Sequence, residues 1–129
     1  MSQLTNQSYS LTVQFEDVDN YGIVHHSCLV RYFERSRVDY LLSKGVDVKG
    51  TDYKLLVHDI NIRILQPAEF LDNLNIEVRN VIFDGYKCVF NQRIRRLDKS
   101  LVKSSITLVF VDKDNVICSI PDGFISLLS

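Results

Sequence analysis

The 129-residue sequence contains no apolar run long enough to cross a membrane, which takes about 18 consecutive apolar residues. Its opening segment, MSQLTNQSYS, also lacks the basic start and apolar core of a secretory signal. We therefore expect no membrane span and a cytoplasmic location.

Cysteine and excess charge are scarce as well. The three cysteines, Cys28, Cys88 and Cys118, are odd in number and widely spaced, which fits neither a disulfide framework nor a CxxC metal site. The formal net charge of −1 gives no overall attraction to nucleic acid. The sequence therefore predicts a small-molecule ligand and no nucleic-acid partner.

Common catalytic signatures are missing too, including GxSxG, a glycine-rich phosphate loop and HExxH. Cys28 has no glycine-bounded turn that would expose it, so nucleophilic serine or cysteine chemistry is disfavoured. The adjacent His25 and His26 cannot easily point at one ion, and His58 lies far along the chain. We predict neither a metal nor a cofactor.

What the sequence does contain is one long amphipathic stretch. Its apolar stripe has helical spacing, includes the small Ser36, and consists of Leu29, Tyr32, Phe33, Tyr40 and Leu41. Lys44-Gly45 makes a suitable stop, with a cation in the last turn and a glycine able to adopt positive φ. The pattern predicts a helix from about Ser27 to Lys44 with this stripe buried.

Strands dominate the rest of the chain. Period-two or β-rich segments predict strands at Tyr9–Phe15, Lys54–Leu65, Asp72–Phe83, Tyr86–Leu97, Leu101–Val111 and Val116–Ile120, with a polar connection at Val46–Asp52. Asp84-Gly85 predicts a two-residue hairpin with a type I′ turn. One early helix followed by antiparallel strands indicates a single α+β domain over residues 1–129.

The candidate chemistry lies where an acidic loop meets the predicted helix. Glu16, Asp17 and Asp19 precede His25 and His26 at the expected helix N-terminus, whose N–H groups can stabilise an oxyanion. An upstream carboxylate could attack a carbonyl or activate water. Thioesters suit such a site, because the sulfur leaves readily as a thiolate, whose conjugate thiol has a pKa of about 8.5. Turn-capping acids and structural histidines explain the same residues.

A basic stretch is the other charged feature. Arg93, Arg95, Arg96, Lys99 and Lys103 lie across a predicted hairpin and could bind phosphates. A solvated strand face explains them equally well.

Two motifs between Phe15 and Arg37, E-D-x-D-x-x-G-I-V-x-H and R-Y-F-E-R-S-R, resemble those of the 4-hydroxybenzoyl-CoA thioesterase family of hotdog-fold proteins. The chain is similar to the bacterial acyl-CoA thioesterase branch that includes Tol-Pal-associated enzymes and 1,4-dihydroxy-2-naphthoyl-CoA hydrolases. The Gln66-Pro67-Ala68 turn extends the likeness across nearly the whole chain. The resemblance implies a hotdog fold, with a long central helix wrapped by an antiparallel sheet of five to six strands.

The resemblance also implies roles for individual residues. Asp19 takes the position of the family's catalytic carboxylate, as a nucleophile or as a general base for water. The oxyanion site maps to the backbone N–H of His26 or its neighbour, and the His26 side chain is expected to orient water or substrate. Tyr21, Gly22, Val24 and Ser27 are the expected substrate-binding residues.

The implied activity is hydrolysis of an acyl-CoA thioester in a homodimer or homotetramer whose active sites lie at subunit interfaces. Candidate substrates are 1,4-dihydroxy-2-naphthoyl-CoA, 4-hydroxybenzoyl-CoA and fatty acyl-CoA. The alternatives are an acyl carrier protein thioesterase, a noncatalytic acyl-binding hotdog protein and a hotdog dehydratase. Glu69 departs from the pattern, because many relatives carry arginine there, and Tyr21 stands where small residues are common.

Overall fold

A computed structural model describes residues 2–4, 7–49 and 53–129, with residues 2–4 described by their backbone alone. Residues 50–52 of the predicted connection lie outside the described residues. The elements in chain order are β1 (Ser2–Leu4), β2 (Ser8–Thr12), a 3₁₀ turn (Phe15–Asp17), α1 (His26–Ser43), β3 (Lys54–Ile64), β4 (Asn73–Asp84), β5 (Lys87–Arg96), β6 (Lys99–Val111), β7 (Ile117–Cys118) and α2 (Asp122–Leu128).

All described strands join one antiparallel sheet. Its main path runs β1-β4-β5-β6-β3, while β2 also pairs with β4 and β7 with β6. The predicted α+β class is confirmed. The described sheet has seven strands instead of the predicted five to six, because the three-residue β1 carries little sequence signal and was not predicted. The predicted strand Val116–Ile120 is shorter in the structure, where β7 is Ile117–Cys118.

The helix α1 buries the predicted stripe, from Leu29 through Leu41, against the inner face of the sheet. It packs mainly over β2, β4 and β5 rather than over β3. The 18-residue helix therefore covers one half of the sheet, which differs from a central helix wrapped evenly by strands.

The inner face of the edge strand β3 remains largely open as a result. Cross-strand pairing with β6 places Val57 opposite Leu108, Ile60 opposite Ile106, and Ile64 opposite Val102. Directly opposed residues share a face of the sheet, so these β3 side chains point to the helix side. Val57, Ile60 and Ile64 are nevertheless 44%, 45% and 52% exposed.

Several local predictions are corrected. Strand β2 ends at Thr12, because the chain leaves the β4 ladder there and enters the 3₁₀ turn with Phe15 exposed. The hairpin loop is Gly85-Tyr86 and has positive φ only at Gly85, so the type I′ prediction is wrong. The helix α2 was not predicted, and it buries Phe124 and Leu128.

Two turns place a leucine in the left-handed region. Leu71 has φ 70° and Leu97 φ 54°, and both side chains are exposed. Asp72, which follows Leu71, forms an ion pair with Arg96, which precedes Leu97; Arg96 Nη1 lies 2.6 Å from Asp72 Oδ2. This contact holds the two turns together.

We predict that Leu97→Gly stabilises the protein by about 0.5–1 kcal/mol. The substitution relieves a left-handed Cβ conflict of roughly 1–2 kcal/mol, which exceeds the roughly 0.5–1 kcal/mol entropy cost of glycine. The Leu97 side chain is 87% exposed, so little packing is lost. Urea denaturation measures the change. Leu97→Ala is the control, because it removes the same side chain and keeps Cβ; an equal gain from alanine would contradict backbone strain.

Candidate active site

The acidic loop between β2 and α1 pairs with itself as a short antiparallel ladder. The His25 N–H donates to the Asp17 carbonyl at 2.9 Å, and the Asp19 N–H donates to the Ile23 carbonyl at 2.8 Å. Asp17 ends the 3₁₀ turn, and the extended Val18 forms a bridge with Val24. The ladder therefore connects the end of the acidic turn to the residues just before α1.

The Asp19 carboxylate is held by the backbone of its own loop. Its Oδ1 accepts the N–H of Tyr21 at 2.8 Å and the N–H of Ile23 at 3.3 Å. Gly22 closes this turn with φ 77°, a conformation that disfavours any residue with a Cβ. Oδ1 thus caps the turn, while Oδ2 has no hydrogen-bond partner among the described residues and is open to a ligand.

The helix N-terminus leaves one backbone donor unused. His25 is the N-cap, and its Nδ1 accepts the Ser27 N–H at 3.2 Å, while the Cys28 N–H donates to the His25 carbonyl at 2.9 Å. No described residue accepts the N–H of His26. This group can therefore donate to a developing oxyanion.

The two histidines stack on each other and are exposed. Their ring centroids lie 4.2 Å apart with an interplanar angle of 29°. The Ser27 hydroxyl lies 2.8 Å from His25 Nδ1, so Ser27 is engaged in capping. Among residues 7–49 and 53–129, no group of three His, Cys, Asp or Glu side chains is arranged to hold a metal ion.

Asp17 ties the acidic loop to the middle of α1. Its Oδ2 accepts the hydroxyl of Tyr32 at 2.7 Å, and its Oδ1 lies 3.9 Å from Arg31 Nη2. Burial and the bond to the carboxylate raise the pKa of Tyr32. No sequence pattern marked the contact between Asp17 and Tyr32, because it joins residues 15 positions apart in different elements.

The segment between β3 and β4 contacts the acidic loop through its backbone. The Val24 N–H donates to the Ala68 carbonyl at 2.8 Å, Ile23 forms a bridge with Glu69, and the Phe70 N–H donates to the Gly22 carbonyl at 3.1 Å. The Glu69 side chain is exposed beside the loop. The position that departs from the family pattern therefore pairs with Ile23 of the acidic loop through its backbone.

The predicted site residues are not equally available to a ligand. Asp19, His26 and Ser27 are exposed, Gly22 is half-buried, and Tyr21 is 86% exposed. Val24 is only 6% exposed and packs in the core. Its side chain faces the interior, and its described contact at the loop is through the backbone.

The basic stretch separates into bound and unbound cations. Arg96 pairs with Asp72, and Arg95 Nη2 donates to the Asp98 carbonyl at 3.0 Å. Arg93 lies directly opposite Lys103, which in turn lies opposite Arg63 on β3, and none of these three has an ion pair with a described residue. These three cations form a row across β3, β6 and β5. The sequence pattern missed Arg63, because strand pairing with β6, and not closeness along the chain, brings it beside Lys103.

A separate groove of about 520 Å³ opens between the second half of α1, the start of β3 and α2. Its lining is mainly apolar, with Arg37 and Glu34 contributed by the helix. None of the predicted site residues lines it. Among the described residues, no helix combines the length and hydropathy needed to cross a membrane.

Comparison with known proteins gives consistent matches over most of the chain. The model of the thioesterase-like superfamily matches residues 13–128. The acyl-CoA thioesterase YbgC of Haemophilus influenzae is 27% identical over 109 residues, which cover 81% of this chain and 80% of that protein. A protein of Aquifex aeolicus named a putative esterase is 30% identical over 123 residues, covering 93% and 95%.

Solved structures share the fold. A hypothetical protein of Aquifex aeolicus superposes with a TM-score of 0.88 at 25% identity, covering 95% of this chain and 98% of that one. The hotdog-like thioesterase fold predicted from the sequence is confirmed at this level. The names of the relatives support the prediction that the chain is a thioester hydrolase.

We predict that Tyr32→Phe destabilises the protein by about 1.5–3 kcal/mol, the usual range for a hydrogen bond to a charged group. The change removes the hydroxyl that donates to Asp17 Oδ2 and leaves the ring in place. Urea denaturation at pH 7 measures the loss. Tyr86→Phe is the control, because that ring is 46% exposed. Equal effects of the two substitutions would show that the bond to Asp17 contributes nothing specific.

Proposed function

Because the chain belongs to the thioesterase-like superfamily, we propose that it hydrolyses an acyl-CoA thioester to a free acid and CoA. The observation that carries the proposal is the Asp19 carboxylate, with Oδ1 fixed by two backbone N–H groups and Oδ2 open, in the loop that leads into a helix start with an unused donor. Fixed geometry of this kind lowers the entropic part of a reaction barrier.

In the proposed reaction, the thioester carbonyl oxygen accepts a hydrogen bond from the backbone N–H of His26. Asp19 Oδ2 either attacks the carbonyl carbon to give a mixed anhydride, which water then cleaves, or removes a proton from the attacking water. The C–S bond breaks as the tetrahedral intermediate collapses, and the thiolate leaves. The side chain of His26 would orient the water or the thioester.

The names of the relatives favour CoA over a carrier protein as the acyl carrier. The proposed acyl groups are 1,4-dihydroxy-2-naphthoyl, 4-hydroxybenzoyl and fatty acyl groups. We also propose that the chain belongs to the 4-hydroxybenzoyl-CoA thioesterase branch of the superfamily. The single domain over residues 1–129 and the cytoplasmic location stay predictions.

The proposed assembly is a homodimer formed through β3. Two such dimers can associate into a homotetramer. Strand β3 is an edge of the sheet, and its inner face is apolar and exposed. Antiparallel pairing of two such edges would place the start of one β3 beside the end of the other. The groove of one copy would then lie near the partner's acidic loop, which supports a site built from two copies.

Asp19→Asn and Asp19→Ala are expected to lower kcat/KM about a hundredfold or more, because either change removes the carboxylate that attacks or activates water. Thiol release from a panel of aromatic and aliphatic acyl-CoA esters, followed with a chromogenic thiol reagent, measures the effect. Asp114→Asn is the control, since Asp114 is an exposed acid in the turn before β7. Turnover that survives both changes at position 19 would refute the assignment, and an inactive wild type would favour a noncatalytic acyl-binding protein.

Ile60→Lys is expected to convert the dimer to a monomer, because it places a charge on the apolar face of β3 that pairing would cover. Size-exclusion chromatography with light scattering measures the mass. Val116→Lys, at a site 58% exposed in the turn before β7, is the matched control. An unchanged mass for Ile60→Lys would exclude this face as the interface.

A further inference from the structure

The groove between α1, β3 and α2 is lined by a largely buried cation that has one hydrogen bond and no ion pair among the described residues. Arg37 is 5% exposed, and its Nη1 donates to Gln92 Oε1 at 3.1 Å. The Gln92 amide in turn donates to the Phe33 carbonyl at 3.0 Å. A guanidinium carries five N–H donors, and no carboxylate oxygen of a described residue lies within 4.0 Å of Arg37.

The surrounding charges do not compensate for this burial. Desolvation lowers the pKa of Arg37, although the charge of Glu34, one turn earlier on α1, acts in the opposite direction. Glu34 and Asp47 are exposed on the groove lining, as are Lys49 and Lys54. A largely buried cation without a counter-charge is costly. No nitrogen of Arg37 is both fully buried and without a hydrogen-bond partner, so its unbonded N–H groups can be reached from the groove.

The rest of the groove is suited to hydrocarbon. Its volume of about 520 Å³ is within the ~300–1,000 Å³ range of small-molecule sites. The walls come from three elements, with Val38 and Leu41 on α1, Val57 on β3, and Phe124 and Leu127 on α2.

We propose that this groove binds an organic carboxylate with an apolar body. The carboxylate accepts hydrogen bonds from Arg37, and the hydrocarbon lies along Leu41, Val57 and Phe124. The assignment follows from charge complementarity, since a planar carboxylate matches the donor fork of a guanidinium. Two sources share this chemistry. One is a free fatty acid, and the other is the distal carboxylate of an acyl group derived from a dicarboxylic acid.

The first experiment uses octanoate and its uncharged analogue octanamide, titrated into the full-length protein by calorimetry. Octanoate is expected to bind at least tenfold more tightly than octanamide, and Arg37→Met is expected to abolish that difference. Lys49→Met, which removes an exposed cation from the same groove, should leave it unchanged. Equal binding of the two ligands, or octanoate binding that Arg37→Met does not alter, would overturn the proposal.

Gln92→Glu provides a second variant that keeps the Arg37 side chain. It places a carboxylate where Gln92 Oε1 now accepts the bond, so Arg37 gains an internal counter-charge. Circular dichroism checks the fold of each variant. Gln92→Glu is expected to weaken octanoate binding at least tenfold even if Arg37→Met fails to fold. Undiminished octanoate binding in Gln92→Glu would refute the proposal.

A kinetic experiment separates the two sources, and this part rests on the proposed function. Octanoyl-CoA is compared with the CoA monothioester of octanedioic acid in wild type and Arg37→Met. A tenfold preference for the dicarboxylic ester that Arg37→Met removes identifies the acyl group as the source. Octanoate binding without that preference identifies the free acid. Failure to hydrolyse these two esters and every ester of the acyl-CoA panel would count against the proposed function and would leave the octanoate result intact.

A second copy of the chain is the competing partner for Arg37. If Arg37→Met dissociates a dimer in light scattering while octanoate binds neither wild type nor variant, the guanidinium pairs across the interface and the ligand proposal is wrong.

Discussion

The packing of α1 against only half of the sheet determines most of the other features of this molecule. The buried stripe of the helix covers β2, β4 and β5, and β3 extends beyond it with its inner face exposed. The groove lies where the second half of α1 and the inner face of the start of β3 are not packed tightly against each other. The exposed inner face of β3 and the groove are therefore both consequences of this offset.

The acidic loop depends on the helix in a different way. Backbone pairing sets the shape of the loop, and the bond from Tyr32 to Asp17 fixes that shape against the helix whose N-terminus begins at His26. The two acids of the D-x-D pair thus differ in their contacts. The Asp17 carboxylate binds the Tyr32 hydroxyl, whereas Asp19 uses Oδ1 to cap the turn and leaves Oδ2 open. The turn-capping and catalytic interpretations of the loop therefore concern different oxygen atoms.

The sequence predicted α1 and four long strands within a few residues, because hydrophobic periodicity reports burial on one face. It failed where structure depends on pairing between distant segments. Phe15 continues the alternation of β2 but lies beyond its ladder, and Arg63 joins Lys103 only through strand register. Arg37 is buried on α1 four residues after Phe33, although the predicted buried stripe did not include it. Nothing local marked the bond between Tyr32 and Asp17.

The row formed by Arg63, Lys103 and Arg93 limits how copies of this protein can stack. Like charges directly opposite one another on a sheet repel, and the neighbouring acid, Glu77, already pairs with Arg79. Two sheets packed back to back through this outer face would bring six such cations together. Salt screens charges over about 8–10 Å at ordinary ionic strength, so assembly through this face would respond to ionic strength in a way that pairing through β3 would not.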